Sequence, residues 1–475
     1  MVRPAEAPLL TMNETHAHPP INRTIFREYD IRGVFGQGEL SLETAELLGR
    51  AIGTKLRKKN ILRMTLGRDV RTSSDQLHRS ILTGLLSTGV HVVDVGICPT
   101  PLLYFSLFHF NVPGGVMITG SHNPPEYNGF KICVDKEAIH GEEIQSLLRM
   151  AESGDFISGQ GSHSSEEIIP HYIDYLISAF PGLKSNSGVR VVIDSGNATA
   201  GLVVPDLLRK MNFDFTELYS QIDGTFPNHH PDPTVEKNLK DLIEKVGSEK
   251  ATVGIAFDGD SDRIGVVDEN GGIIWGDKLL LLYARDILKH QPKATIVSEV
   301  KCSHLLFEDI RKNGGNAVMW KAGHSLIKAK MKETRAALGG EMSGHIFFAD
   351  RYFGYDDAIY AACRLLEILI SEKKTLSSLL ADLPRTYSTP EIRIDCSDSL
   401  KFKIVERLRK TFGARYSVID VDGVRVLFED GWGLVRASNT QPILVLRFEA
   451  NTEKRLQEIR RLIESALEEV RREVS

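Results

Sequence analysis

Short apolar runs alternate with amphipathic stretches along most of the chain. Residues 41–59 put Ala45, Leu48, Ile52 and Leu56 on one face behind a Ser41 N-cap, which predicts a helix. A strand is predicted over 62–67, a helix over 74–87 with Leu77, Ile81, Leu82 and Leu85 inward, and a strand over 90–95. The same grammar restarts at 189–194 and at 294–298. Strands alternating with helices predict an α/β sheet with crossover connections. Three times an apolar run ends in a glycine-bearing polar loop, over 116–123, 253–263 and 336–345. The unequal spacing excludes a solenoid. The pattern predicts three α/β units, each presenting one functional loop.

The C-terminal part differs. Val424, Val426 and Phe428 alternate, Gly431-Trp-Gly433 reads as a turn, and 443–448 reads as a strand. A closing helix over 452–471 is predicted to bury Leu456, Ile459, Leu462, Ile463, Ala466, Leu467 and Val470. This makes a smaller α+β domain. Boundaries are expected near 166, 272 and 385, the first supported by a Gly/Ser/His-rich stretch at 158–165. The units are then 21–166, 167–272, 273–384 and 385–475. Residues 1–20 are expected to be a mobile tail in which Met12 could serve as the start.

Composition narrows the class. The 475 residues are too many for one core. A net charge of −5, with both signs interspersed, argues against nucleic acid or an anionic membrane as partner. No run reaches the ~18 apolar residues of a membrane helix, and the first twenty residues lack the apolar core of a signal peptide. Five scattered cysteines without a C-x-x-C predict reduced thiols in a cytoplasmic protein, with Cys302 as a packing residue. No coiled-coil seam is evident, and a monomer is expected.

Four segments carry chemistry. Thr119-Gly-Ser-His-Asn-Pro-Pro-Glu-Tyr-Asn-Gly-Phe-Lys131 delivers Ser121 into a loop at the end of a strand, with Lys131 ten residues on. Asp258-Gly-Asp-Ser-Asp-Arg263 sets three carboxylates at alternate positions behind a strand, a hard oxygen-rich cation site that suits Mg²⁺. An EF-hand would use Asp258, Asp260, Asp262 and Glu269 but needs glycine where Arg263 stands. An aspartyl-nucleophile phosphatase would use Asp258 and leave Ser121 idle. Gly340-Glu-Met-Ser-Gly-His345 offers a carboxylate and a hydroxyl that can grip vicinal sugar hydroxyls. Arg436-Ala-Ser-Asn-Thr-Gln-Pro442 reads as a phosphate clamp on a loop between two strands. Trp320-Lys-Ala-Gly-His-Ser325 and Lys301 add cations and donors. Together they point to phosphoryl transfer on a sugar phosphate.

In these four loops, in order, and in Phe26-Arg-Glu-Tyr-Asp-Ile-Arg-Gly33, the chain resembles the bacterial phosphomannomutase/phosphoglucomutases of the α-D-phosphohexomutase superfamily. The resemblance covers nearly everything but the tail. It implies three related α/β domains with mixed sheets and a C-terminal α+β domain around a central cleft. It implies that Ser121 carries the phosphoryl group, with one Mg²⁺ held by Asp258, Asp260, Asp262 and an oxygen on Ser121. Arg32 and Lys131 would act in acid/base catalysis, Lys131 being the better candidate because an arginine is a poor base. His122 and Asn123 would support the serine loop. Tyr29, Arg263, Lys301, Gly323 and His324 would line the sugar path, with His345 beside the Glu341/Ser343 grip and Arg436, Ser438, Asn439 and Thr440 on the far phosphate. Glucose 1,6-bisphosphate or an equivalent is the expected activator. Many relatives carry glycine at the position of Ser261. Met342 resembles the mannose/glucose branch, whereas phosphoglucosamine mutases usually place glutamine there. The alternatives are a phosphoglucosamine mutase, a metal-dependent sugar phosphatase and a non-catalytic metal or sugar binder.

Overall fold

The computed structural model describes residues 21–185, 188–439 and 441–474. The expected tail lies outside the described residues. Four sheets follow one another along the chain. The first runs in the order Ile31–Val34, Tyr127–Val134, Gly114–Ile118, Arg63–Arg68, His91–Ile97 and Ser162–Ser165, with Glu137–Ala138 added beside Tyr127–Val134. The Gly/Ser/His-rich stretch thus supplies an edge strand. The second runs Ile273–Ile274, Ile264–Asp268, Val253–Phe257, Arg190–Asp194, Asp214–Leu218, and the third Asn316–Trp320, Thr295–Glu299, Leu338–Gly340, Ile346–Phe348.

One device recurs in these three mixed sheets. A strand parallel to its inner neighbour ends in a polar loop and returns antiparallel. Gly114–Ile118 returns as Tyr127–Val134, Val253–Phe257 as Ile264–Asp268, and Leu338–Gly340 as Ile346–Phe348. Each loop therefore sits at the carboxyl end of a parallel strand, where open α/β sheets gather ligands. A continuous apolar core joins the three sheets through the buried helix Thr100–His109. The first helix runs Leu42–Lys58, and the Ser41 hydroxyl accepts from Thr44 N–H at 3.1 Å.

The fourth sheet is antiparallel, with strands Tyr387–Ser388, Ile392–Asp395, Ser417–Ile419, Val424–Phe428, Gly431–Ala437 and Ile443–Ala450. Helices Asp398–Gly413 and Glu453–Val474 pack on it around a separate core. Three expectations are corrected here. The Gly431-Trp-Gly433 segment is strand, and the turn falls at Glu429 and Asp430. Its glycines serve packing: a Cβ at Gly433 would lie 2.4 Å from Ile463 Cδ1 and one at Gly431 2.7 Å from Ile459 Cδ1. Leu462 is 41% exposed, because the buried stripe of that helix is Leu456, Ile459, Ile463, Leu467 and Val470. Arg436 belongs to the strand Gly431–Ala437, not to the loop after it.

All five cysteines are buried free thiols. Cys302 packs beneath Ser298, whose hydroxyl donates to its sulfur at 2.9 Å, and burial holds its pKa well above the usual value. No helix among the described residues is long and apolar enough to cross a membrane.

Buried Asp357 ties the helix Ile168–Ala179 to the helix Ala358–Glu372. Its carboxylate caps the helix Ala358–Glu372 through Tyr360 N–H and accepts from the hydroxyls of Tyr172 and Tyr352, each at 2.7 Å. Burial outweighs those donors and pushes its pKa up to about 6. The folded state therefore holds a proton that the unfolded chain releases near pH 4. This contribution is complete below that pH and is lost as pH rises through about 6, to a total of about 3 kcal/mol. Urea midpoints at pH 4.5 and 7.5 check this. The stability of the parent relative to Asp357→Asn is expected to fall with rising pH, and a difference independent of pH contradicts the assignment.

Candidate active site

The acidic loop between Val253–Phe257 and Ile264–Asp268 is wholly buried at Asp258, Asp260, Ser261 and Asp262. Asp258 Oδ1 accepts from Asp262 N–H and Arg263 N–H, both at 3.1 Å, which folds the loop over its own first carboxylate. Ser261 has φ +61°, a conformation that glycine takes without strain, and its hydroxyl pairs with Thr199 Oγ1 at 3.0 Å. Carboxylate oxygens of Asp258, Asp260 and Asp262 all lie within 4.8 Å of one another. Asp260 Oδ1 and Asp262 Oδ1 have no hydrogen-bond partner. Burial, with Asp262 and Asp260 adding repulsion, raises the pKa of Asp258 well above the carboxylate range. Glu269 is not part of this cluster. Its carboxylate binds Ser377 N–H at 3.3 Å, which removes the EF-hand reading.

Ser121 reaches this cluster from the first sheet. It is 2% exposed with φ +50°, and its hydroxyl donates to Asp258 Oδ2 at 3.0 Å. His122 Nδ1 lies 3.1 Å from the same hydroxyl. Burial, with the charges of Arg263 and Arg32, holds His122 well below the usual imidazole pKa, so the ring is neutral. The two loops touch closely: a Cβ at Gly259 would lie 2.3 Å from Ser121 O.

Lys131 inserts its ammonium between the carboxylates, 2.6 Å from Asp260 Oδ2 and 2.5 Å from Asp262 Oδ2. Burial opposes the charge there, but Asp260 and Asp262 prevail and raise its pKa. Lys131 and Thr100, whose hydroxyl donates to Asp260 Oδ2 at 2.5 Å, hold Asp260 below the usual range against burial. Arg32, on the strand Ile31–Val34, is ion-paired to Asp30.

The remaining residues form two linked groups. In the third sheet, Glu341 Oε1 accepts from Gly323 N–H at 2.5 Å, and Ser343 is half-buried in the same loop. Gly323 has φ +131°, and a Cβ on it would lie 2.6 Å from Tyr29 Cζ. His345 Nε2 accepts from Arg263 Nε at 2.9 Å, while its Nδ1 is 3.1 Å from Asp356. His324 stacks on His345 at 5.5 Å between ring centroids. Lys301 lies 3.1 Å from Glu391 and 3.4 Å from Glu299. Toward the fourth sheet, Arg436 Nε donates to Asp422 at 3.0 Å, and Ser438 Oγ accepts from Gln441 N–H at 3.2 Å. Tyr29 closes the circle. Its hydroxyl donates to Ala322 O at 3.0 Å and accepts from Asn439 Nδ2 at 2.9 Å. Thr440 lies outside the described residues.

Thr100, Asp356 and Asp422 were not expected. Thr100 stands in Cys98-Pro-Thr-Pro101, a helix-start signal whose hydroxyl faces a distant loop. Asp356 pairs with Phe347 in an isolated bridge, and Asp422 sits in the bend before Val424–Phe428.

A buried hydroxyl on an acidic triad, ringed by loops from four successive sheets, defines a member of the α-D-phosphohexomutase superfamily. Models of the phosphoglucomutase/phosphomannomutase family match in chain order: α/β/α domain I over residues 23–157, domain II over 170–272, domain III over 275–387 and the C-terminal domain over 391–466. The chain belongs to this family. It is 47% identical over 453 residues to the phosphomannomutase/phosphoglucomutase of Pseudomonas aeruginosa, covering 95% of this chain and 97% of that protein. It is 44% identical over 453 residues to the phosphoglucomutase of Neisseria gonorrhoeae, covering 94% and 97%. A crystal structure of a phosphoglucomutase/phosphomannomutase family protein from Burkholderia thailandensis superposes with TM-score 0.89 at 40% identity, covering 96% of this chain and 99% of that one.

Proposed function

We propose that the chain interconverts hexose 1-phosphates and hexose 6-phosphates, glucose and mannose alike, with Ser121 carrying the phosphoryl group. The observation that carries this reading is the Ser121 hydroxyl, 3.0 Å from Asp258 and within the acidic triad. Phosphoserine 121 gives its group to the sugar, forming a 1,6-bisphosphate. The bisphosphate turns end for end, and the other phosphate returns to Ser121.

The donor set fits Mg²⁺. Three carboxylates converge, two of their oxygens are unpartnered, and all the donors are hard oxygens. Asp258, Asp260 and Asp262 would hold the ion, which supplies charge neutralisation at the transferring group. The rest is done by the chain. Lys131 and Arg263 bring positive charge to the same oxygens, and neutral His122 supports the Ser121 hydroxyl. Lys131, an ammonium here, serves as proton donor and charge partner more readily than as base. Arg436 and Asn439 receive the far phosphate, with Asp422 holding the guanidinium in line.

Reorientation restricts how the sugar is gripped. The hydroxyls held must interchange on turning, and O3 and O4 do. Glu341 and Ser343 are the pair for them. Glucose and mannose share those hydroxyls and differ at C2. Coupled assays on both hexose 1-phosphates, with catalytic glucose 1,6-bisphosphate, are expected to give kcat/KM values within ~10³ of each other, about 4 kcal/mol. A larger gap means that O2 is read as well.

A further inference from the structure

Arg71 lies outside every segment considered so far, yet it is 3% exposed and packed under the Ser121 loop. A guanidinium has five N–H donors. All five are matched here. Nε donates to Asp69 Oδ2 at 3.2 Å, one terminal nitrogen to Pro124 O at 2.5 Å and Tyr127 O at 3.0 Å, and the other to Ser121 O at 2.7 Å and Asn123 O at 2.6 Å. Four backbone carbonyls of one loop thus point at one cation. A buried carbonyl without a donor is costly, and of these four only Pro124 O also accepts from the loop's own backbone, from Tyr127 N–H at 3.0 Å. Asp69 completes the cradle by accepting from Gly120 N–H at 3.2 Å and from Arg71 N–H at 3.0 Å.

The guanidinium is closely packed. Gly120 lies against it, where a Cβ would come within 2.5 Å of the Arg71 guanidinium carbon. The Phe226 ring, from the segment after Asp214–Leu218, also packs on it, 5.2 Å to its centroid. That segment belongs to the domain that also supplies the acidic triad. The same face carries His230, whose Nε2 contacts His122 O.

We propose that Arg71 is the positioning residue for the phosphoryl-carrying serine. It gathers the carbonyls of Ser121, Asn123, Pro124 and Tyr127, fixes Ser121 at φ +50°, and so aims the hydroxyl at Asp258. Its donors reach the main chain of Ser121, not the hydroxyl, and its carboxylate partner is Asp69, outside the acidic triad. The proposal rests on the mutase reading for its kinetic consequence, but not for its structural one.

The test uses Arg71→Lys, which keeps the charge but offers three donors for five acceptors, and Gly120→Ala, which displaces the guanidinium without removing it. In both variants kcat for hexose 1-phosphate is expected to fall by about 100-fold. KM is expected to change by less than about threefold, since no substrate contact is lost. In hydrogen-exchange mass spectrometry without substrate, peptides over 119–127 are expected to exchange at least about tenfold faster, with those over 253–268 unchanged. Parent-like exchange in both variants overturns the proposal, as does a uniform rise over both segments, which marks general destabilisation. Parent-like kcat alongside loosened exchange also overturns it, provided the parent turns over. A parent that shows no mutase turnover, with exchange behaving as expected, refutes the mutase reading and leaves the loop assignment standing.

Discussion

Ser121→Ala is expected to lower mutase kcat by at least about 10⁴-fold while leaving the fold intact. The expectation follows from what surrounds the hydroxyl. Ser121 Oγ donates to Asp258, and two nearby hydroxyls are engaged elsewhere. Thr100 Oγ1 is committed to Asp260, and the Ser261 hydroxyl pairs with Thr199. Water could reach a bound sugar phosphate in the variant, but hydrolysis is not isomerisation. Stability is expected to change by no more than about 2 kcal/mol, because the residue already sits at φ +50° and loses only the hydroxyl's contacts with Asp258 and His122. The coupled assay and a thermal melt check both parts. Retention of mutase activity would place the phosphoryl group elsewhere.

The second large effect concerns Lys131. Its ammonium lies against Asp260 and Asp262, two of the three carboxylates that would hold Mg²⁺. Lys131 holds the Oδ2 atoms, and a metal on the unpartnered Oδ1 atoms of the same carboxylates would be repelled by its charge. Lys131 is therefore the internal counter-ion of the triad and would weaken metal binding there. Lys131→Met keeps the length of the side chain and removes the charge. It is expected to bind Mg²⁺ at least about tenfold more tightly, some 1.4 kcal/mol, by titration calorimetry. It is also expected to lose about 10³-fold in kcat, because the proton donor and its charge at the transferring group are gone. Unchanged Mg²⁺ affinity contradicts the counter-ion role. Unchanged kcat contradicts the catalytic one.

Much of the architecture was legible because it is local. An apolar run followed by glycine, proline and acidic residues marks where a strand stops. That pattern marks the loops carrying Ser121, Asp258 and Glu341, though not their meeting in space. Helix limits followed from caps such as Ser41, whose side chain does accept from Thr44 N–H. The errors have equally local causes. Glycines beside Trp432 looked like turn residues, whereas they make room for Ile459 and Ile463. Leu462 carries the right chemistry one residue off the buried stripe.

Long-range contacts left no such trace. Tyr29 and Asn439 are 410 residues apart, and nothing in either segment encodes their hydrogen bond. Asp422 reads as a turn residue until Arg436 and Ala322 are seen on its carboxylate. Arg71 is the clearest case. In Gly67-Arg-Asp-Val-Arg-Thr-Ser73 nothing marks the second arginine as buried, and only the converging carbonyls reveal it as structure. The available signal was a strand ending in a short, densely polar segment directly before a helix.

The central claim is that Ser121, and no carboxylate of the triad, carries the phosphoryl group between the two ends of the sugar. Incubating the protein with Mg²⁺ and glucose 1,6-bisphosphate, then mapping the modification by tandem mass spectrometry, tests it directly. The expected result is a gain of ~80 Da confined to Ser121, discharged on adding glucose 1-phosphate as bisphosphate re-forms. A modification on Asp258, or release of inorganic phosphate with Ser121 unmodified, contradicts the account.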